Sequence, residues 1–400
     1  MRRRTFLTST VSAGISGSLG ASQALAEEWK GRPRSAIPTP ALLLDLDAFD
    51  GNLRVMAEQC KKTGCGFRPH AKTHKCPEIA RRQVAAGALG VCVATVPEAE
   101  AMVAAGIRGV LLTSPIMESG KIARMVALAG KEGTVLLALG HARQVERLQD
   151  AAAAAKATVD VLVDLDVGDR RTGILPGKPA LELARRIQKG KNLRLRGLQA
   201  YAGHASHTVG FERRRKVSRQ ALQPALETRE LFAQNKLPAA ILSCGSTGTY
   251  NIDSELKGVT ELQVGSFIFM DVDYRRIGGK SGDVYTDFQP SLTVLTTVVS
   301  TTHPDRVSID AGTKALDTTV PHRGQAKGKP HLSYSPFGDE FGSVTSTKEG
   351  KLPAIGERLE FIVPHCDPSA NLYDRIYAMR GDRVEGIWPL AARREFHGGT

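Results

Sequence analysis

A chain of 400 residues with 42% apolar and 24% charged side chains can bury one large core or two ordinary ones, which excludes an intrinsically disordered protein. The formal charge of +13 invites a polyanion, but the basic residues form no block interleaved with aromatics, and aromatics make up only 5% of the chain. Nucleic acid is therefore not an expected partner.

In chain order, the first feature is a targeting segment. MRRRTFLTSTVSAGISGSLGASQALA combines a basic start, a mildly apolar Gly/Ser/Ala-rich stretch and small residues up to Ala26, just before Glu27 and Glu28. Residues 1–26 read as a signal peptide, and Arg3-Arg4-Thr5-Phe6-Leu7 as its twin-arginine form, used for proteins exported already folded. The mature protein is expected in the periplasm, and no later stretch is long and apolar enough to span a bilayer.

A lead-in segment, residues 27–50, holds the strand-like ALLLDLD (41–47), followed by a helix, FDGNLRVMAEQCKK. Then one theme recurs: a short apolar or β-branched run, a turn, and an Ala/Leu/Arg/Glu-rich helical stretch. The runs are GFRPHAK (66–72), GVCVAT (90–95), GVLLTSP (109–115), TVLLAL (134–139), DVLVDLD (160–166), LRGLQAY (195–201), AILSCGST (240–247) and ELQVGSFIF (261–269). This alternation predicts an α/β fold, a (β/α)₈ TIM-type barrel over residues 51–287. From residue 288 alternating runs such as LTVLTTVVSTT and RLEFIVP predict a mostly antiparallel β domain to residue 400, joined by the lead-in strand. Residues 320–350, rich in Gly, Lys, Ser and Pro, read as loop.

Six cysteines, Cys60, Cys65, Cys76, Cys92, Cys244 and Cys366, form no C-x-x-C pair. Cys92 and Cys244 sit in apolar runs and read as buried thiols. A disulfide among Cys60, Cys65 and Cys76 is left open.

Barrel active sites lie at the C-terminal strand ends, and the polar clusters fall there. Lys72 closes the first strand, among Arg68, His70, His74 and Lys75. Asp164, Asp166, Arg170 and Arg171 follow the fifth strand, and Tyr201, His204 and His207 the sixth. CGSTGTY (244–250) follows the seventh and, with Gly265 and Ser266, offers backbone N–H groups and hydroxyls to one anion. A phosphate cup facing a strand-end lysine points to a phosphorylated aldehyde cofactor joined to the lysine amine.

RPHAKTHK, GLQAYAGHASH, SCGSTGTY, ELQVGSFIFMDVDY and VPHCD, in that order, resemble the motifs of fold-type III pyridoxal-phosphate enzymes of the D-threonine aldolase and eukaryotic-type D-serine dehydratase group, which is distantly similar to alanine racemase. The resemblance implies pyridoxal 5'-phosphate as cofactor, with Lys72 as the Schiff-base lysine and Lys75 as a neighbour. Arg171 and Tyr201 match cofactor-contacting positions, and Ser246, Thr247, Gly248, Gly265 and Ser266 match the phosphate-binding segments. His207, six residues after Tyr201, has the spacing of the family's catalytic histidine. His204 is assigned to helping the site or the phosphate shell, with a purely structural role as the alternative, and Asp164 and Asp166 to holding Arg171 in place.

His365-Cys366-Asp367 carries a further distinction. Read as strand residues i and i+2, His365 and Asp367 face the same way and can share a metal ion, with Cys366 pointing elsewhere. In the family, dehydratases have His-x-Cys with zinc, whereas D-threonine aldolases have His-x-Asp with manganese or another hard divalent ion. The carboxylate favours Mn²⁺, with Mg²⁺ or Zn²⁺ as alternatives.

The reading that follows is an aldolase cleaving D-β-hydroxy-α-amino acids to glycine and an aldehyde, with the metal acidifying the β-hydroxyl and His207 removing its proton. The resemblance further implies a homodimer. The rivals are a D-serine or D-hydroxyaspartate dehydratase, a non-enzymatic pyridoxal-phosphate carrier, and a metal-dependent barrel hydrolase built on His70, His74, His204 and His207.

Overall fold

A computed structural model describes residues 27–130, 133–348 and 351–393; the expected signal peptide, residues 1–26, lies outside the described residues. The first strand, β1 (Ala41–Asp45), ends where Asp45 caps the helix Leu46–Thr63, its carboxylate accepting from the N–H groups of Asp47 and Ala48. That helix stops at Gly64, whose φ of 70° suits a left-handed C-cap.

Eight parallel strands then form the expected barrel: β2 (Gly66–Phe67), β3 (Cys92–Val93), β4 (Val110–Leu112), β5 (Val135–Leu139), β6 (Val159–Asp164), β7 (Leu193–Ala200), β8 (Ile241–Cys244) and β9 (Glu261–Leu262). Each of β3 to β9 pairs with its sequence neighbour, β9 pairs with β2, and a parallel bridge between His70 and Cys92 joins the extension of β2 to β3. Alternation along the strands divides their side chains. Cys92, Leu111, Leu136 and Leu162 form a small cluster inside the barrel, while Val110, Val135, Leu137, Val161 and Val163 join the large core toward the helices.

Farther along β6, β7 and β8, and just past β9, the interior turns polar. Asp164, Gln199, Ser243 and Gln263 are buried and linked: Gln199 Nε2 donates to Asp164 Oδ1 (2.8 Å), and Gln263 Nε2 to Gln199 Oε1 (3.1 Å) and Ser243 Oγ (2.9 Å). Polar side chains this deep persist only when their hydrogen bonds are met, so this layer is a built floor under the C-terminal mouth.

The remaining strands are β10 (Leu292–Ser300), β11 (Arg306–Ile309), β12 (Gln325–Ala326), β13 (Leu332–Pro336), β14 (Gly342–Ser346), β15 (Arg358–Ile362), β16 (Arg375–Arg380) and β17 (Arg383–Pro389). Because β10 pairs with both β11 and β15, the order β10-β11-β14-β13-β12-β15 closes on itself. β1 lies antiparallel to β10 and parallel to β16, so the N-terminal strand completes this second sheet before the chain enters the barrel.

Residues 320–350, expected as loop, contribute β12, β13 and β14. Their ladder forms despite weak strand composition because β13 pairs with β14 over five register positions and β14 is in turn paired with β11. All six cysteines are buried and unpaired, which answers the open disulfide question.

Candidate active site

Lys72 is not on a strand. β2 ends at Phe67, and the backbone continues beside β9 and β3 through His70 N–H to Val264 O (2.7 Å) and Cys92 N–H to Pro69 O (2.8 Å). It then turns through a single 3₁₀ turn, Ala71–Thr73. His70 shapes that turn: its Nδ1 accepts from Lys72 N–H (3.3 Å), while Nε2 donates to Thr113 Oγ1 (3.1 Å), which itself donates to Val93 O. Burial, followed by the charge of Lys72, pushes the His70 pKa well below the usual histidine value, consistent with one donor and one acceptor nitrogen.

The basic neighbours do not form a cationic cluster around Lys72. Arg68 is buried in a bidentate pair with Glu261 (2.9 and 2.8 Å), and Lys75 Nζ donates to Lys72 O (2.7 Å). His74 is fully buried, and burial pushes it down to about 3.

His74 therefore carries a pH signature. Its folded pKa lies below the ordinary 6.5, so protonation favours the unfolded chain. Its stabilising share is complete above about pH 6.5 and is lost as pH falls toward 3. The slope is about 1.4 kcal/mol per pH unit over that window. A drop in urea midpoint between pH 7 and pH 5, flattened in His74→Asn, is the expected result; equal dependence in both proteins would dismiss it.

Across the mouth from Lys72, the turn after β8 carries Ser246, Thr247 and Gly248, and the end of β9 leads to Gly265 and Ser266. The backbone N–H groups of Thr247, Gly248, Gly265 and Ser266 have no acceptor among the described residues. Thr247 Oγ1 accepts from Phe267 N–H (2.9 Å) and ties the two segments together. A Cβ on Gly265 would come within 2.8 Å of Thr73 Oγ1, so only glycine lets this backbone meet the Lys72 turn. Gly248, expected at the cofactor, stands behind the cleft wall in the adjoining turn and offers only its backbone N–H, which has no acceptor among the described residues. It is glycine because a Cβ there would lie 2.0 Å from Ser206 O.

Arg171 lies over the Tyr201 ring, 5.1 Å from its centroid, and pairs with Asp169 (3.5 Å). Asp164 and Asp166 do not hold it, contrary to expectation: Asp164 accepts from Gln199 and Thr172, and Asp166 from the N–H groups of Gly168 and Arg170. His204 sits 3.7 Å from Asp169 and does not line the cleft.

Two histidines and three aspartates complete the mouth. His207 Nδ1 is 2.9 Å from Asp273 Oδ2, and its ring packs 4.3 Å from that of Tyr274. The bond from His207 comes first among the causes that hold the Asp273 carboxyl below its usual range. His365 Nδ1 is 2.9 Å from Asp271 Oδ2, a fully buried carboxylate that also accepts from Cys366 N–H and caps the helix Val272–Arg275.

His365 and Asp367 are not strand neighbours. β15 ends at Ile362, His365 is extended, and Cys366–Ala370 is a short helix. The i, i+2 argument thus fails locally, yet both side chains line the same cleft, with Asp367 Oδ2 3.6 Å from Lys72 Nζ. Cys366 is buried and does not line it, and burial drives its thiol pKa well above the usual value.

The residues present fit a hard cation. Among the described residues Asp367 Oδ1 is buried without a hydrogen-bond partner, and Asp271 engages His365 Nδ1 and leaves Nε2 available. Burial opposes protonation of His365, but the bond from Asp271 and the charges of Asp271, Asp367 and Asp273 outweigh it and lift the pKa to about 9. Among the described residues no group of three His, Cys, Asp or Glu side chains is placed to hold a metal ion, so a cation at this point would find at most the pair His365 and Asp367 from the chain.

The cleft, of about 340 Å³, therefore collects Lys72, Arg171, Tyr201, His207, Ser246, Thr247, Gly265, Ser266, His365 and Asp367, and omits only Gly248 of the expected set. Sequence reading missed Asp271 and Asp273. Their signal is two acids two apart in MDVDY, just past the last barrel strand. It also missed Gln199 and Gln263, polar residues inside strand-like apolar runs.

Comparison with known proteins agrees with this architecture. Residues 44–273 match the family described as alanine racemase, N-terminal domain, and residues 291–379 the putative serine dehydratase domain. A D-threonine aldolase of Arthrobacter sp. is 37% identical over 365 residues, covering 91% of this chain and 94% of its own. A 3-hydroxy-D-aspartate aldolase of Paracoccus denitrificans is 33% identical over 368 residues, with the same coverage. The crystal structure of a D-threonine aldolase from Filomicrobium marinum superposes with a TM-score of 0.87 at 36% identity, covering 91% of this chain and 98% of that one.

Proposed function

Because the chain belongs to the alanine racemase-like, fold-type III pyridoxal-phosphate lyases of the D-threonine aldolase and eukaryotic-type D-serine dehydratase family, we propose that it is a divalent-metal-dependent aldolase cleaving D-β-hydroxy-α-amino acids to glycine and an aldehyde. The observation that carries this reading is the meeting, in one cleft, of the Lys72 amine, an anion cradle of unpartnered N–H groups, and the His365–Asp367 donor pair.

Lys72 is the residue that would hold pyridoxal phosphate covalently. The amides of Thr247, Gly248, Gly265 and Ser266, with the hydroxyls of Ser246 and Ser266, would receive the phosphate, and Arg171 and Tyr201 would flank the ring. When bound, the cofactor joins the substrate amine and accepts the electron pair released at Cα. His365 and Asp367 would hold the divalent ion, Mn²⁺ by the softness of this donor set, and the ion would acidify the β-hydroxyl.

The chain's own part in bond breaking falls to His207. Asp273 engages its Nδ1–H, which leaves the Nε2 lone pair directed to the cleft as the acceptor of the β-hydroxyl proton. As that proton leaves, the Cβ–O bond gains double-bond character and the Cα–Cβ bond breaks. Return of a proton to Cα gives glycine. The His365–Asp271 bond holds the metal-binding ring in one orientation.

The second reading, a dehydratase, is favoured by the serine dehydratase match over residues 291–379. Products decide between them. D-threonine should yield glycine and acetaldehyde, with activity lost on chelation and restored by Mn²⁺, and Asp367→Asn should raise the Mn²⁺ concentration needed by about tenfold or more. An oxo acid with ammonia, or activity indifferent to chelator, would sink the aldolase.

Two further parts of the reading rest on sequence. Export to the periplasm is supported by the twin-arginine pattern of residues 1–26, and among the described residues no helix is long and apolar enough to cross a membrane. A homodimer is supported by the family resemblance.

A further inference from the structure

Arg214, in the first turn of the helix Phe211–Gln234, is fully buried, and among the described residues no carboxylate pairs with it. Burying a guanidinium without a counter-ion is costly, so its hydrogen bonds show what retains it. All go to main-chain carbonyls. Nε donates to Gly248 O (2.7 Å), Nη1 to Thr208 O (2.9 Å) and Ile277 O (2.8 Å), and Nη2 to Gly278 O (2.8 Å). These belong to three segments: the anion-cradle turn, the turn carrying His207, and the segment that begins with Asp273.

Tyr285 completes the arrangement. Its buried ring lies under the guanidinium, 5.6 Å to the centroid, and its hydroxyl donates to Thr247 O (2.7 Å). In a planar trans peptide the carbonyl and the next N–H point opposite ways. With the Thr247 carbonyl drawn back to Tyr285, the Gly248 N–H faces away from that hydroxyl, without an acceptor of its own among the described residues.

We propose that Arg214, assisted by Tyr285, is a positioning residue that aims the phosphate-cradle amides and fixes His207 relative to them. The proposal rests on the pyridoxal-phosphate reading of the cleft. The planar fork holds several acceptors in set directions, which a lysine ammonium on a flexible stem does not reproduce. One side chain thus makes the grip on the cofactor phosphate and the aim of the proton acceptor interdependent, although it touches neither.

Arg214→Lys keeps the charge and loses the fork. In apoprotein shown to be folded by circular dichroism and a thermal melt, it is expected to bind pyridoxal phosphate about tenfold more weakly or worse, and inorganic phosphate by a similar factor. Its kcat should stay depressed at saturating cofactor, because His207 remains misplaced. Tyr285→Phe, which removes one hydroxyl from an intact ring, should weaken both ligands by about threefold. A folded Arg214→Lys with wild-type affinities, or one whose kcat recovers fully at saturating cofactor, overturns the proposal. Should Arg214→Lys not fold, unchanged affinities in Tyr285→Phe overturn it alone. Failure of the wild-type apoprotein to take up pyridoxal phosphate would instead refute the cofactor reading, and the inorganic phosphate comparison would still judge Arg214.

Discussion

Lys72→Ala is expected to leave no borohydride-trappable link between protein and pyridoxal phosphate and to lower kcat/KM by roughly 10³-fold or more, whereas Lys75→Ala should retain the link. These lysines lie three positions apart in one basic stretch, and only their placement distinguishes them. Lys72 projects from a 3₁₀ turn into the cleft opposite the unpartnered amides, half-buried and 3.6 Å from Asp367. Lys75 does not line the cleft, and its amine reaches back to the Lys72 carbonyl. Removing Lys75 loosens the turn without removing the nucleophile. Mass spectrometry after reduction checks the assignment, and a trapped adduct that survives in Lys72→Ala but vanishes in Lys75→Ala would reverse it.

His207→Gln should lower kcat by about 10² to 10⁴ while changing cofactor affinity little, the range associated with loss of a positioned acid–base group. Glutamine retains much of the volume beside Tyr274 and a partner for Asp273, but its amide cannot accept the substrate proton. Asp273→Asn should cost less, since the imidazole remains and only its orientation and preferred tautomer are released. Steady-state rates on D-threonine at saturating Mn²⁺ and cofactor supply the comparison. A kcat near wild type in His207→Gln would assign the proton to another group, and an Asp273→Asn defect larger than that of His207→Gln would show that the carboxylate acts on its own account.

Much of the fold was legible because its signals are local. Each barrel strand is a short apolar run framed by a turn and a helical stretch, and each polar cluster falls just past such a run, so the eight runs and the positions of Lys72, Tyr201, Ser246 and Ser266 could be read in order. β12 to β14 were missed because a Gly/Lys/Ser/Pro-rich segment has little strand preference of its own, and its pairing comes from β11 and β15. The His365–Asp367 pair shows the same limit. A strand argument placed the two side chains together for the wrong local reason, since they reach the cleft from the end of β15 and the first turn of a helix.

By itself the sequence determined the two-part architecture and the order of the motifs, because composition and periodicity act over a few residues at a time, and the family resemblance of those motifs named ten of the residues that line the cleft. Only the tertiary structure decided which of those side chains act on one another. Asp271 reaches His365 across 94 positions, Asp273 meets His207, and Arg214 gathers carbonyls from as far as 64 positions away. Such partners are set by where barrel closure and sheet packing bring separate segments. Among the charges of a polar helix start such as FERRRK, nothing local marks the one that turns inward.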